Sequence, residues 1–222
     1  MIRLVGLPGG LPAGWDLADP IPPSIDVAVL VAEAADVRSE RLDALKLRGG
    51  GGLLVAKFKA PKWAVPEILP EGLAMLAGKP KTGKSWMALD LAVAVSTGGA
   101  ALGEIECRQG PVLYLAMEDT ERRLQARLKA VLQGREITDA VEFATEWKAL
   151  DAGGLDDIRT WLEMRPKARL VIVDTLAKVR AKSNRNEGVY TNDYQAVTPF
   201  KKLADEFGVA IVLIHHLRKE KS

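Results

Sequence analysis

Residues 73–85 read Leu-Ala-Met-Leu-Ala-Gly-Lys-Pro-Lys-Thr-Gly-Lys-Ser. A short apolar run stops at a glycine, a lysine-rich loop follows, and helix-forming residues begin. Gly78, Lys79, Pro80, Lys81, Thr82, Gly83, Lys84 and Ser85 fit G-x-x-x-x-G-K-[ST] in the strand-before, helix-after setting that the pattern requires. The stretch predicts a phosphate-binding loop. Gly78 and Gly83 tolerate backbone angles that turn successive amide N–H groups toward one anion, and the start of the next helix adds its positive dipole end. Lys84 supplies a full charge between the β- and γ-phosphates, and the Ser85 hydroxyl is placed to ligate Mg²⁺. The competing reading, a glycine turn with surface lysines, leaves the strand-loop-helix setting unexplained.

The composition is that of an ordinary soluble globular protein: 222 residues, 48% hydrophobic and 27% charged. A net charge of +2 from 31 basic and 29 acidic residues excludes a strongly cationic nucleic-acid coat and leaves room for a local basic patch. The single Cys107 excludes an internal disulfide, and two histidines make no zinc-ligand cluster. Asp90 interrupts the longest apolar candidate, around residues 87–95, so no membrane span is expected. The chain reads as cytoplasmic and not exported.

Five prolines among glycines make residues 1–24 loop or extended chain. Residues 25–48 favour helix, with Ser24 as N-cap, until Gly49–Gly52 stop it as a flexible joint. Residues 53–58 have the makings of a short strand. Residues 1–60 are therefore expected to be a linker or helical remnant, and residues 61–222 a compact domain. Trp63 is read as packing on the outside of that domain's core, with base stacking as the weaker alternative.

Within the domain, helices are expected over residues 86–96, 121–132 and 154–164, and up to Gly208 with Val197, Phe200, Leu203 and Phe207 on one face. Apolar strands are expected at the phosphate loop and over residues 111–117, 169–174 and 209–214. Residues 137–152 are ambiguous and residues 181–192 read as a polar loop. Four strands alternating with helices imply an α/β fold, a mostly parallel sheet with helices on both faces and ligands at the strands' carboxyl ends.

Gly78, Glu118, Asp174 and His215-His216 each follow directly on an apolar strand, so they converge on one rim. Asp174 suits a Mg²⁺ water. Glu118 suits the general base that deprotonates the water attacking the γ-phosphate, with Asp119 as rival base and as N-cap of the next helix. His216 suits a hydrogen bond to the γ-phosphate, against a merely structural histidine at a strand end.

At these residues the chain resembles the RecA-type ATPases, and most closely the plasmid RepA-type hexameric helicases and related phage or mobile-element AAA-family ATPases, over about residues 62–222. The matching stretches are LPEGLAMLAGKPKTGKSWMALDLA, VLYLAMEDTERRLQARL, RLVIVDTLAKVR and IVLIHHLRK. The resemblance implies a RecA-like P-loop NTPase that binds and hydrolyses ATP with Mg²⁺. Its catalytic residues would be Glu118, Lys84 and His216, its metal residues Ser85 and Asp174, and Arg127, nine residues after Glu118, would stack on adenine. It further implies a sensor strand between the phosphate-loop and Asp174 strands, the Glu118 strand outermost, single-stranded DNA as partner, and a homo-hexamer.

Related chains continue past the equivalent of Ser222 with a further strand, a DNA-contacting loop and a trans-acting basic residue. The sequence is therefore expected to be a C-terminally truncated form with weak turnover, its phosphate-loop strand left as a sheet edge unless residues 53–58 cover it. LPAGWDLADPIP faintly resembles the segment that follows a Toprim-type primase domain, which makes Asp16 and Asp19 linker residues more than metal ligands. Lys182 and Arg185 are candidates for phosphate contact, a solvated loop being the alternative. The function expected is a replicative helicase-type ATPase. A nucleotide-binding accessory subunit is the alternative, and a small-molecule kinase a weaker third.

Overall fold

The computed structural model describes residues 47–179 and 189–217, together with residues 3–4, 19–20, 22–23, 25–26, 28–29, 35–36 and 45. The chain divides into two compact units, residues 1–59 and 60–222. In the first, Arg3–Leu4 pairs antiparallel with Ala35–Asp36, so the helix expected over residues 25–48 is not continuous. Gly50–Leu54 forms a short helix. The glycines therefore open an element where a joint was expected, and residues 53–58 form no strand.

The second unit is built on five parallel strands: β1 (Gly72–Gly78), β2 (Val112–Ala116), β3 (Val141–Ala144), β4 (Leu170–Asp174) and β5 (Ala210–His216). Their helices are α1 (Lys84–Thr97), α2 (Glu121–Leu132), α3 (Gly154–Glu163), α4 (Leu176–Val179) and α5 (Val189–Phe207). The spatial order is β1-β5-β4-β2-β3. β5, the strand expected to carry the sensor, does lie between β1 and β4. The Glu118 strand β2 is not outermost, because β3, from the ambiguous stretch, pairs beside it. β3 is held there by the Val112 N–H donating to Ala140 O at 2.8 Å and by Phe143 against Tyr114, ring centroids 5.7 Å apart. The helix α5 begins at Val189, inside the segment expected to be loop; Lys182 and Arg185 lie outside the described residues.

Every residue of β2 and β4 is buried, Asp174 at the end of β4 included, and the apolar runs that make up the rest suit parallel strands covered on both faces. Alternate residues feed opposite cores. Val112, Tyr114, Leu170 and Ile172 pack toward α1 and α2, with Leu89, Val95 and Leu124. Leu113, Leu115, Val171 and Val173 pack toward α3 and α5, with Ile158, Leu162, Phe200 and Leu203. The side-chain period of two in a strand produces this division without further instruction. α1 carries buried residues on all sides, among them Leu89, Leu91, Val93 and Val95, the pattern of a helix inside the domain. It ends at Gly98, φ 72°, a left-handed cap that glycine takes without strain. No helix among the described residues is long and apolar enough to cross a membrane.

Candidate active site

The parallel registers set the rim. His216 pairs with Gly78 between β5 and β1, and Asp174 pairs with Ala116 between β4 and β2. Residues that follow these positions must emerge at one end of the sheet. They line a cavity of about 690 Å³ bounded by the loop residues Pro80, Lys81, Thr82, Gly83, Lys84 and Ser85, and by Glu118, Arg127 and His216. That size suits a small-molecule ligand.

The loop between β1 and α1 turns on Gly83, φ 87°, and Lys81, φ 65°. Thr82 Oγ1 donates to Lys79 O at 2.9 Å. Lys84 is buried, and its Nζ donates to Gly78 O at 3.0 Å, Lys79 O at 2.7 Å and Thr82 Oγ1 at 3.4 Å. An ammonium has three N–H groups, so the loop engages all of them and holds the charge at its own centre. Phosphate oxygens compete well with these neutral acceptors, because they add a full counter-charge to the ammonium.

Asp174 is buried at the end of β4. Its Oδ2 accepts the Tyr114 hydroxyl at 2.9 Å, and the same hydroxyl lies 3.4 Å from Ser85 O. Burial pushes the Asp174 carboxyl above the usual range, and the Ser85 and Tyr114 hydroxyls beside it pull it part of the way back. Burial and the adjacent Asp174 charge raise the Tyr114 phenol far above its ordinary value, so it stays a donor. Asp174 Oδ1 is buried with no hydrogen-bond partner. An anionic oxygen left unmatched beside Ser85 fits a hydrated Mg²⁺, which keeps several waters and takes only one or two protein oxygens.

Glu118 follows β2 by two residues and is exposed to the cavity. Its Oε1 accepts the Thr175 hydroxyl at 3.2 Å, and its Oε2 lies 3.4 Å from His216 Nε2. The Asp174–Thr175 peptide bond that precedes this contact is cis. His216 Nδ1 is buried with no hydrogen-bond partner. The backbone ties this corner to the loop: the Leu217 N–H donates at 3.2 Å to Gly78 O, the carbonyl that also receives Lys84.

Asp119 is not the N-cap of α2. That position belongs to Thr120, whose hydroxyl accepts the Arg123 N–H at 3.3 Å. Asp119 turns inward, its side chain 3% exposed, and pairs with Arg123 Nε at 2.6 Å and with Arg127 Nη1. The Arg127 guanidinium lies 4.9 Å from the centroid of the Trp86 ring. Arg127 thus sits at the cavity between a buried carboxylate and an indole, while Trp86 and Arg123 join the lining.

Trp86, Arg123, Tyr114 and Thr175 stand at the site although no motif in the sequence points to them. Tyr114 has a signal: a phenol inside an otherwise apolar buried strand needs a hydrogen-bond partner. Thr175 and Trp86 each stand directly after an expected metal residue, at positions where the chain has no freedom to leave the site. Trp63 opens a short strand, Trp63–Val65, and its carbonyl accepts Arg169 Nη1 at 3.4 Å. Cys107 is buried, and burial raises its thiol. Asp16 lies outside the described residues.

A family model described as an AAA domain matches residues 38–222. Among solved structures, the chain is similar to an ATPase domain, with a TM-score of 0.49 and 14% sequence identity. The match covers 68% of this chain and 58% of that one, less than two thirds of the solved domain.

Proposed function

The chain belongs to the AAA domain family, and from that premise we propose that it is a Mg²⁺-dependent ATPase of the RepA-type hexameric helicase kind. It works on single-stranded DNA in the replication of a plasmid, phage or mobile element. The observation that carries the reading is the position of Glu118. It is a carboxylate in the wall of the cavity that holds the phosphate loop, with one oxygen 3.4 Å from His216.

In this mechanism the loop amides and Lys84 bind the phosphates. Lys84 exchanges its carbonyl partners for phosphate oxygens, and Arg127 meets the adenine from its seat on Trp86. Ser85 and Asp174 would hold Mg²⁺ or its waters, and the ion would supply positive charge against the phosphates. Glu118 takes a proton from water; the water oxygen forms a bond to the γ-phosphorus as the bond to the β-γ bridging oxygen breaks, giving ADP and inorganic phosphate. His216, between Glu118 and Gly78, donates to the γ-phosphate in this reading and senses its departure.

The test is the hydrolysis rate with and without single-stranded DNA, at several protein concentrations, with particle size by light scattering. Hydrolysis stimulated by DNA and rising with assembly is expected. ATP binding with no turnover under any of these conditions would overturn the reading in favour of a regulatory nucleotide-binding subunit.

A further inference from the structure

Thr175 is fully buried, and a buried hydroxyl is costly unless it finds a partner. Directly before α4, the ordinary use of a threonine side chain is to cap the helix. Here the hydroxyl donates across the sheet to Glu118 Oε1 at 3.2 Å, 57 residues away in sequence. The other oxygen of the same carboxylate faces His216. Glu118 stands just beyond β2 and is exposed to the cavity, so its own backbone leaves the carboxylate free to rotate. Thr175 directly follows β4, whose register with β2 is fixed as far as Asp174 against Ala116.

We propose that Thr175 is the positioning residue for the Glu118 carboxylate, the bond that fixes the plane in which the base meets the attacking water. The inference rests on the reading of Glu118 as general base. Thr175 touches neither water nor phosphate in this account. It acts by keeping one carboxylate oxygen occupied, so that the other faces the cavity in a single orientation, and a base held this way loses less in orientation when the reaction begins.

The experiment compares Thr175→Val, which keeps the shape and removes the hydroxyl, with Thr175→Ser, which keeps the hydroxyl and loses a methyl. The expected result for Thr175→Val is a fall in kcat of about tenfold to a hundredfold, the range for losing a hydrogen bond to a charged group. ATP affinity measured by calorimetry should be unchanged. Thr175→Ser should stay within about threefold of the parent, because the donor to the charged group is retained. A packing role predicts the opposite order, and a Thr175→Val enzyme as fast as the parent, or slower only through weaker ATP binding, would overturn the inference. Should Thr175→Val fail to fold, Thr175→Ala against Thr175→Ser carries the same comparison. In the background of Glu118→Gln, Thr175→Val should add no further loss, since the two act through one group. If Glu118→Gln itself hydrolyses ATP at the parent rate, the base assignment falls. If Glu118→Gln is inactive and Thr175→Val is not slowed, only the role of Thr175 falls.

Discussion

The Tyr114 hydroxyl donates to Asp174 Oδ2 at 2.9 Å from the neighbouring strand, and both groups are buried. Asp174 and Ser85 are the residues assigned to the metal, and Tyr114 touches both segments, reaching Asp174 directly and Ser85 through its carbonyl. One phenol therefore sets the separation between the strand end and the loop. Tyr114→Phe keeps the ring against Phe143 and deletes the donor, leaving a buried carboxylate oxygen unpaired. A stability loss of about 1–3 kcal/mol is expected from denaturant unfolding, with a weaker dependence of ATP affinity on Mg²⁺. A variant as stable as the parent would show that the bond contributes little.

Lys84→Ala removes the charge that the loop holds at its centre, and with it three hydrogen bonds to Gly78, Lys79 and Thr82. Two effects follow from one change. Calorimetry should find ATP binding lost or weakened by at least about a hundredfold, the order expected for charged hydrogen bonds to phosphate. The nucleotide-free loop should also loosen, read as faster amide exchange over residues 79–83. Parent-like affinity would contradict the assignment of the loop.

Glu118 and Asp119 are neighbours in sequence and face different tasks. Glu118→Gln should bind ATP and fail to hydrolyse it, since the amide keeps the shape and loses the base. Asp119 is buried against Arg127, so Asp119→Ala leaves a guanidinium without its counter-charge. A loss on the order of 3 kcal/mol in stability is expected, together with weaker ATP binding through a displaced Arg127. Abolished turnover in Asp119→Ala with stability and affinity intact would move the base to Asp119.

The arrangement of the ATPase unit was legible in the sequence wherever a single physical rule operated alone. The unbroken apolar runs at residues 112–116 and 170–173 announce buried parallel strands, and each lies just before a site group. What escaped depended on partners far away in sequence. The run Val141–Ala144 carries a glutamate and two alternating apolar residues, too short a signal to separate from loop, and becomes a strand because Val112 and Tyr114 receive it at the sheet edge. Asp119 looks like a helix cap by position. It is Thr120 that caps, because Asp119 has two arginines one and two turns into α2 to pair with. Gly50–Gly52 open the helix Gly50–Leu54 against their own low helix propensity. The Thr175 contact with Glu118 joins residues 57 apart, and only the register of β2 on β4 reveals it.

Asp174 separates function from stability most sharply. Burial raises its carboxyl above the ordinary aspartate value of 3.8, so the folded state holds this proton more tightly than the unfolded chain does. The sign follows: the stabilising contribution is complete below the unfolded value and is lost as pH rises through the folded one. Above its folded value the ionised carboxyl is a buried charge whose Oδ1 has no hydrogen-bond partner. Asp174→Asn removes that charge and keeps an amide oxygen for the Tyr114 hydroxyl. The amide N–H groups add a cost of about 1–3 kcal/mol if unpaired, but the effective penalty of a buried ion is several kcal/mol, so the balance favours the variant. Asp174→Asn should raise the Tm of the nucleotide-free protein by roughly 2–4 °C at pH values where the parent carboxyl is ionised. Its stability should also fall less than the parent's as pH rises from the ordinary aspartate range. The same variant should lose ATP hydrolysis, since an amide is a poor partner for Mg²⁺ or its waters. Thermal melts of both proteins across that pH range, without nucleotide, decide the matter. A lower Tm for Asp174→Asn across the whole of that range would mean that the carboxylate stabilises the fold and that its buried charge carries no net cost.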